Sequence, residues 1–183
     1  MISREELQNK KRILVLGCSG SGKSTFAKLL GKNLNIKVFH LDQYFHDPGW
    51  QPKDHSDFVK SIEEIISGKS WIIDGTYSRT LRQRLLLADA VFLYDYSKYF
   101  CIYRVIKRSL KSKTGMEIRT DLAPGCKEKF PDYEFLKFIW NYKTSKVYNI
   151  LSETNYNTDN LMIFKNRSEF SAYVNTCLIQ QNL

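Results

Sequence analysis

The chain has 183 residues, of which 43% are hydrophobic and 26% are charged. These proportions are typical of folded globular proteins, and the length suits one domain, so we predict a single domain over residues 1–183. No segment approaches the roughly 18 consecutive apolar residues of a membrane-spanning helix, which argues against a membrane partner. Because residues 1–12 also lack the apolar core of a secretory signal, we expect a cytoplasmic protein.

The formal net charge is +9, and most of the excess lies in about one third of the chain. Residues 97–148 contain twelve Lys and Arg against five Asp and Glu, a net of +7. Such a concentration attracts polyanions, which include nucleotide phosphates and nucleic acid. The charge alone does not choose between these two ligands.

Four cysteines are scattered along the sequence, at Cys18, Cys101, Cys126 and Cys177. They form no CxxC pair and have no histidine at metal-ligand spacing, so neither a zinc site nor a disulfide framework is expected. We interpret them as reduced thiols. For Cys18, which lies in a glycine-rich loop, a redox-sensitive thiol is the alternative to a small loop filler.

Short apolar runs alternate with segments of helical periodicity along the chain. Five runs are predicted as strands, at residues 12–16, 36–41, 71–73, 90–94 and 161–164. Helices are predicted at residues 26–34, 56–67, 81–86, 99–111 and 132–151 and from residue 168 onward. Because the runs lack strict alternation and are linked through helices, the fold class is α/β, with a five-stranded parallel sheet covered on both faces in three layers. The segment at approximately 112–131 contains Gly115, Pro124 and Gly125 and is predicted as a mobile lid.

A phosphate-binding sequence lies between the first predicted strand and the first predicted helix. It reads Gly17, Cys18, Ser19, Gly20, Ser21, Gly22, Lys23 and Ser24, which matches the Walker A pattern in the context that the pattern requires. Its glycines let successive backbone N–H groups turn toward one centre, and the following helix directs its positive dipole end to the same place. Lys23 is expected to reach the β- and γ-phosphates of ATP, and the Ser24 hydroxyl to bind Mg²⁺.

Acidic residues follow the second and third predicted strands. Asp42 follows the second run, and Asp74 with Gly75 follows the third. Ligands of open α/β sheets bind beyond the carboxyl ends of the strands, and phosphoryl transfer needs one carboxylate near the metal and one near the acceptor hydroxyl. Asp42 and Asp74 are candidates for these roles; the alternative is a turn-forming or helix-capping Asp. His40 is more typical of a packed residue than of a proton carrier.

Two groups of basic residues are candidates for clamping phosphates. One group follows the third strand and the other lies on one face of the helix that leads into the lid: Arg79, Arg82, Arg84, and Arg104, Arg108, Lys111. The planar guanidinium donates two parallel hydrogen bonds to phosphate and keeps its charge when water is excluded. Solvated surface arginines are the alternative.

The three tryptophans have different expected roles. Trp50 follows Pro48-Gly49 in a polar loop near the expected acceptor site, where it can stack on a base. Trp71 and Trp140 are predicted to lie in the core.

Taken together, these motifs resemble a known family. The phosphate loop, Leu41-Asp42, the loop Pro48-Gly49-Trp50 and the segment 71–80 resemble the FlaR-related DNA topology modulation proteins, which are small adenylate-kinase-like P-loop proteins. The likeness continues through residues 103–108, 125–126 and 138–140. It implies a nucleoside-monophosphate-kinase-like fold, a lid after the fourth strand, and ATP binding from Gly17 to Thr25.

The same resemblance bears on the acceptor. Asp74-Gly75 is similar to the Asp-Gly-Phe-Pro-Arg segment of adenylate kinases, but one more residue precedes Arg79 here, which argues against AMP as the acceptor. Asp42 followed by Tyr44-Phe45 is similar to the strand-end acid of uridine kinases. It is therefore the candidate for binding or activating an acceptor hydroxyl.

Three functions remain open from the sequence. The leading hypothesis is a kinase that transfers the γ-phosphoryl group of ATP to a small nucleoside, nucleotide or other hydroxyl compound. The second is a DNA-binding regulator that uses ATP as a switch or not at all, although the chain has no helix-turn-helix or zinc-finger pattern. The third is an NTPase that acts on a partner protein. The sequence identifies neither the acceptor nor the oligomeric state.

Overall fold

The computed structural model describes residues 2–113 and 121–178. The strands are β1 Arg12–Gly17, β2 Val38–His40, β3 His46–Asp47, β4 Gln51–Pro52, β5 Trp71–Asp74, β6 Ala90–Tyr94 and β7 Leu161–Phe164. The helices are α1 Arg4–Gln8, α2 Lys23–Leu34, α3 Leu41–Phe45, α4 His55–Ile66, α5 Ser78–Leu85, α6 Lys98–Lys113, α7 Tyr133–Asn141, α8 Ser145–Glu153 and α9 Arg167–Cys177, with a 3-10 turn at Thr158–Asn160. No helix in these ranges is long and apolar enough to cross a membrane.

Five strands form a parallel sheet in the order β2-β5-β1-β6-β7. The register pairs His40 with Asp74 and Gly17 with Tyr94, so the carboxyl ends of these strands lie along one edge. Strands β3 and β4 form a separate short antiparallel hairpin. The predicted five-stranded parallel sheet is confirmed, and its central strand β1 delivers the phosphate loop to the ligand-binding edge.

Apolar side chains cover both faces of the sheet, which confirms the three layers. One face packs against α2, α6, α7 and α9, and the other against α4, α5 and α8. Phe26 of α2 lies edge-on to Phe92 of β6 and to Phe170, with ring centroids 5.0 and 5.3 Å apart. This aromatic packing fixes the helix that follows the phosphate loop against the sheet.

Several predicted boundaries differ from the structure. The second strand ends at His40, and the chain then turns into the short helix α3, so that Asp42 lies in a first helical turn rather than at a strand end. Helix α4 is capped by Asp54, whose side chain accepts a hydrogen bond from the Ser56 N–H, and the predicted Ser56 start is wrong. Asn166 caps α9 in the same way.

The single helix predicted at 132–151 is wrong, because the structure has two helices there. Tyr142 leaves the helical conformation, with φ −62° and ψ 127°, and its hydroxyl lies 3.3 Å from the Thr76 hydroxyl. The core position predicted for Trp140 is also wrong: its side chain is 46% exposed, whereas Trp71 is fully buried as predicted.

Arg84 of α5 is completely buried and holds the loop that follows β5 through hydrogen bonds. Its guanidinium donates hydrogen bonds to the carbonyl oxygens of Gly75, at 2.9 Å, and of Tyr77, at 3.0 Å, and also to those of Thr76 and Thr80. Burial lowers the pKa of the guanidinium to about 9, which leaves it charged at neutral pH. These donors serve the protein's own backbone rather than a phosphate, contrary to the sequence-based interpretation.

We predict that Arg84→Met lowers the free energy of unfolding by about 3 kcal/mol, because several buried carbonyl groups lose their partner. The matched control is Arg82→Met, which removes an exposed ion pair to Glu153 (3.4 Å) and should cost less than about 1 kcal/mol. Urea denaturation measures both values. Equal effects of the two substitutions would contradict the assigned role of Arg84.

Candidate functional site

A cleft of about 1380 Å³ opens at the carboxyl edge of the sheet. It is larger than the roughly 300–1,000 Å³ of typical small-molecule pockets, so it has room for two ligands side by side. Most of the predicted site residues line it: Gly17, Ser19, Gly20, Gly22, Lys23, Ser24, Thr25, Asp42, Trp50, Asp74, Gly75, Arg104 and Arg108. Cys18 and Ser21 are buried within the loop, and Arg79 is exposed outside the cleft lining.

The phosphate loop has the backbone geometry that its sequence predicts. Gly17, Gly20 and Gly22 adopt φ values of 140°, 85° and 101°, a region that favours glycine. A Cβ atom on Gly20 would lie 2.4 Å from the Cys101 carbonyl oxygen, so the loop also needs glycine for close packing against α6. Helix α2 begins at Lys23 with no side-chain cap, which leaves its first N–H groups directed at the cleft for an anion. The Lys23 ammonium donates to the Cys18 carbonyl oxygen at 2.9 Å.

The Cys18 thiol of the phosphate loop lies in a buried environment. It is buried beside Cys101, and its hydrogen bond with that thiol, together with burial, raises the pKa of Cys18. A protonated, buried thiol is a poor nucleophile. This environment fits the interpretation of Cys18 as a small loop filler.

Asp74 ends β5 within the cleft and has one paired and one unpaired oxygen. His40 Nδ1 lies 2.8 Å from Asp74 Oδ2, and both side chains are buried. Asp74 Oδ1 is buried and has no hydrogen-bond partner among the described residues. An unsatisfied buried carboxylate oxygen is costly, and a hydrated cation would satisfy it. The residue therefore suits the predicted metal role, together with Ser24, which lines the same cleft.

Asp42 also faces the cleft, although it lies on α3 rather than at a strand end. Its Oδ1 accepts a hydrogen bond of 2.6 Å from the Tyr77 hydroxyl. Burial and the nearby Asp42 charge both raise the pKa of Tyr77, so the phenol stays protonated and donates. The Asp42 carboxylate is thus held in place by Tyr77, which belongs to the loop that Arg84 stabilises.

Helix α6 places its two predicted arginines at different points of the cleft. Arg104 lies over the phosphate loop, since a Cβ atom on Gly22 would be 3.2 Å from its guanidinium. Arg108 donates to Glu128 at 2.8 Å, so it joins α6 to the segment 121–131. Arg104 therefore lies over the phosphate loop, whereas Arg108 bridges α6 and the segment 121–131.

Residues 121–131 are the described end of the predicted lid, while 114–120 lie outside the described residues. This segment contacts α2 through the ion pair Lys28–Asp121, at 3.0 Å. It also contacts the β3–β4 hairpin: the indole N–H of Trp50 donates to the Lys127 carbonyl at 2.9 Å, and the Cys126 thiol lies 3.3 Å from the Asp47 carbonyl. The segment therefore joins the hairpin that follows α3 to the helix that follows the phosphate loop.

Sequence reasoning missed several residues of the cleft. Tyr77 and Tyr142 face it from the loop after β5 and from the break after α7, and Arg167 lines it at the start of α9. Arg167 follows β7, the fifth of the predicted strands. The rule that ligands bind beyond the carboxyl ends of the strands would have identified it. The break at Tyr142 has a local signal in Thr144, which precedes α8 as its N-cap, and Tyr142 also makes a long-range contact with Thr76.

Solved structures give the comparisons that sequence does not: neither a protein-family model nor a curated protein matches the chain. A shikimate kinase from Acinetobacter baumannii in complex with shikimate is 12% identical, covers 93% of this chain and 95% of its own, and has a TM-score of 0.56. A gluconokinase from Sinorhizobium meliloti 1021 is 16% identical, covers 92% and 89%, and has a TM-score of 0.50. At these identities the likeness concerns the fold alone. The chain has the α/β fold of P-loop small-molecule kinases.

Proposed function

We propose that the protein is an ATP-dependent kinase that transfers the γ-phosphoryl group to a hydroxyl group of a small molecule. The observation that carries this proposal is the position of Asp42. Asp42 lines the same cleft as Lys23 and Asp74, but it lies on α3, outside the phosphate loop. A carboxylate in this position suits the activation of an acceptor hydroxyl group.

The residues divide the transfer between them. The N–H groups at the start of α2 and the side chains of Lys23 and Arg104 would hold the phosphates and offset the charge that develops on the transferred group. Mg²⁺, held by the Ser24 hydroxyl and near Asp74, would neutralise charge on the β- and γ-phosphates. The acceptor oxygen forms its bond to phosphorus as the bond to ADP breaks, and Asp42 takes the hydroxyl proton.

The acceptor wall favours a neutral molecule with a ring. The side chains that line it from α3, the loop after it and the loop after β5 are Asp42, Phe45, His46, Trp50 and Tyr77. They offer aromatic faces and a carboxylate, and none is Lys or Arg; the basic residues of the cleft come from α2, α6 and later parts of the chain. A nucleoside or a sugar fits this chemistry better than an acid whose charge would face Asp42.

We expect Lys23→Met to lower ATP turnover by about 100-fold or more, because a charge aimed at the transferring group is lost from a preorganised site. Lys32→Met on the exposed side of the same helix should behave like the wild-type protein. ADP release measures turnover, and thermal melting checks that both variants fold. Full activity of a folded Lys23→Met protein would refute the phosphate-loop assignment.

Asp42→Asn should leave ATP affinity almost unchanged and reduce transfer to an acceptor by about 100- to 10,000-fold, the usual loss when a general base is removed. Asp47→Asn on the neighbouring strand β3 is the control, since that side chain is exposed and pairs with Lys53 at 3.7 Å. The assay screens paired acceptors that differ in charge, such as a nucleoside and its monophosphate. Equal transfer by the two variants would remove the catalytic role of Asp42.

One surface observation favours DNA binding as a second candidate. Exposed aromatic rings on α6 and α7 each lie beside a lysine ammonium: Trp140 and Tyr99 beside Lys98, Tyr103 beside Lys107, and Tyr133 beside Lys137. Alternating rings and cations suit single-stranded nucleic acid, whose bases stack while its phosphates pair. This arrangement supports the DNA-binding alternative.

If this surface binds DNA, affinity for a single-stranded oligonucleotide should fall steeply with salt, and Trp140→Ala should weaken it by about tenfold or more. Leu86→Ala removes an exposed apolar side chain that lies just after α5 and serves as the control. Fluorescence anisotropy at several salt concentrations measures both variants. Identical affinities of the two variants would exclude this surface as the DNA site.

A further inference from the structure

His40 and Asp74 form a buried pair that the sheet itself sets. They are the last residues of neighbouring parallel strands and are direct register partners. His40 is 7% exposed and Asp74 5% exposed, and Nδ1 lies 2.8 Å from Oδ2. Because both residues belong to strands rather than loops, this contact does not depend on closure of the cleft.

The pair determines which oxygen of Asp74 is left over. A carboxylate oxygen only accepts hydrogen bonds, so pairing with ionised Asp74 requires a proton on Nδ1 of His40, and this hydrogen bond to Oδ2 fixes the rotation of the carboxylate group. Oδ1 then remains buried without a hydrogen-bond partner among residues 2–113 and 121–178. A buried carboxylate oxygen left unsatisfied costs about 1–3 kcal/mol, so a purely structural pair would be expected to satisfy it.

The residues around Asp74 suggest a role for its unpaired oxygen, Oδ1, in binding a cation. Asp74 lines the cleft together with Lys23 and Ser24, where the proposed nucleotide phosphates and their cation would lie. A carboxylate near a hydrated cation uses one oxygen toward the cation, and a second hydrogen bond holds the other oxygen in place. His40 occupies the place of that second partner.

We propose that His40 is a positioning residue, which holds Asp74 so that Oδ1 serves the cation of bound Mg²⁺–ATP. This inference rests on the proposed ATP site. It assigns His40 a role through Asp74 alone, with no contact to substrate and no proton transfer. The sequence had indicated only a packed histidine, and the structure shows that it is packed and paired.

Two substitutions separate this role from simple packing. The side-chain amide of His40→Asn can reproduce the Nδ1–H donor, whereas His40→Phe keeps a ring of similar size without any donor. The measured quantity is the ratio of affinities for a non-hydrolysable ATP analogue with Mg²⁺ and with excess chelator. Removing such a supporting hydrogen bond typically lowers metal affinity by about 10- to 100-fold.

We expect the ratio of the two ATP-analogue affinities to fall by about 10- to 100-fold in His40→Phe and to stay within about threefold of wild type in His40→Asn. The affinity for the analogue in excess chelator should be unchanged in both variants. An unchanged ratio in His40→Phe would overturn the proposal. So would an equal loss with and without Mg²⁺, since that indicates a distorted phosphate loop. A wild-type protein with no Mg²⁺ effect would remove the metal role of Asp74 and this inference with it.

A second readout needs no ligand. The chain has three histidines, so His40→Asn identifies the ring ¹⁵N signals of His40 in the NMR spectrum. They should show a protonated Nδ1 that shifts in Asp74→Asn and not in the control Asp47→Asn; an unprotonated Nδ1 would contradict the pairing. Because this readout and the affinity ratio do not require phosphoryl transfer, a wild-type protein without kinase activity would refute the proposed function and leave both results standing.

Discussion

The site depends on the common direction of five parallel strands. Because they run the same way, the ends of β1, β2 and β5 meet at one edge, and the turn after each strand reaches the same cleft. The strand register therefore brings together the phosphate loop, His40 and Asp74. These residues are far apart in the sequence, and no local interaction joins them. The burial of both sheet faces makes this register costly to shift.

The acceptor wall is built on top of this edge by a chain of polar contacts. Arg84 holds the carbonyl groups of the loop after β5, this loop presents Tyr77, and the Tyr77 hydroxyl holds Asp42. The segment 121–131 then links the loop around Trp50 to α2 and α6. These contacts run from the buried guanidinium of Arg84 to the cleft. A substitution at Arg84 should therefore change the position of the Asp42 carboxylate.

The sequence predicted the parts of this structure that local pattern determines. Glycine spacing identified the phosphate loop, and apolar runs located the five strands and the strand-end acid Asp74. The remainder involves long-range contacts: Tyr142, at the break between α7 and α8, contacts Thr76, and Arg84 is buried against carbonyl groups that only the folded loop directs inward. Trp140 lies at the surface, where its ring packs against the Lys98 ammonium at 3.7 Å.

The central claim is that the γ-phosphoryl group of ATP goes to a hydroxyl acceptor rather than to water. The most direct test is ³¹P NMR of the wild-type protein with Mg²⁺–ATP and a mixture of neutral nucleosides and sugars. We expect a new phosphate-monoester resonance that grows as ADP forms and is absent with Asp42→Asn. Inorganic phosphate as the sole product, formed at the same rate with and without acceptors, would contradict it and indicate an NTPase.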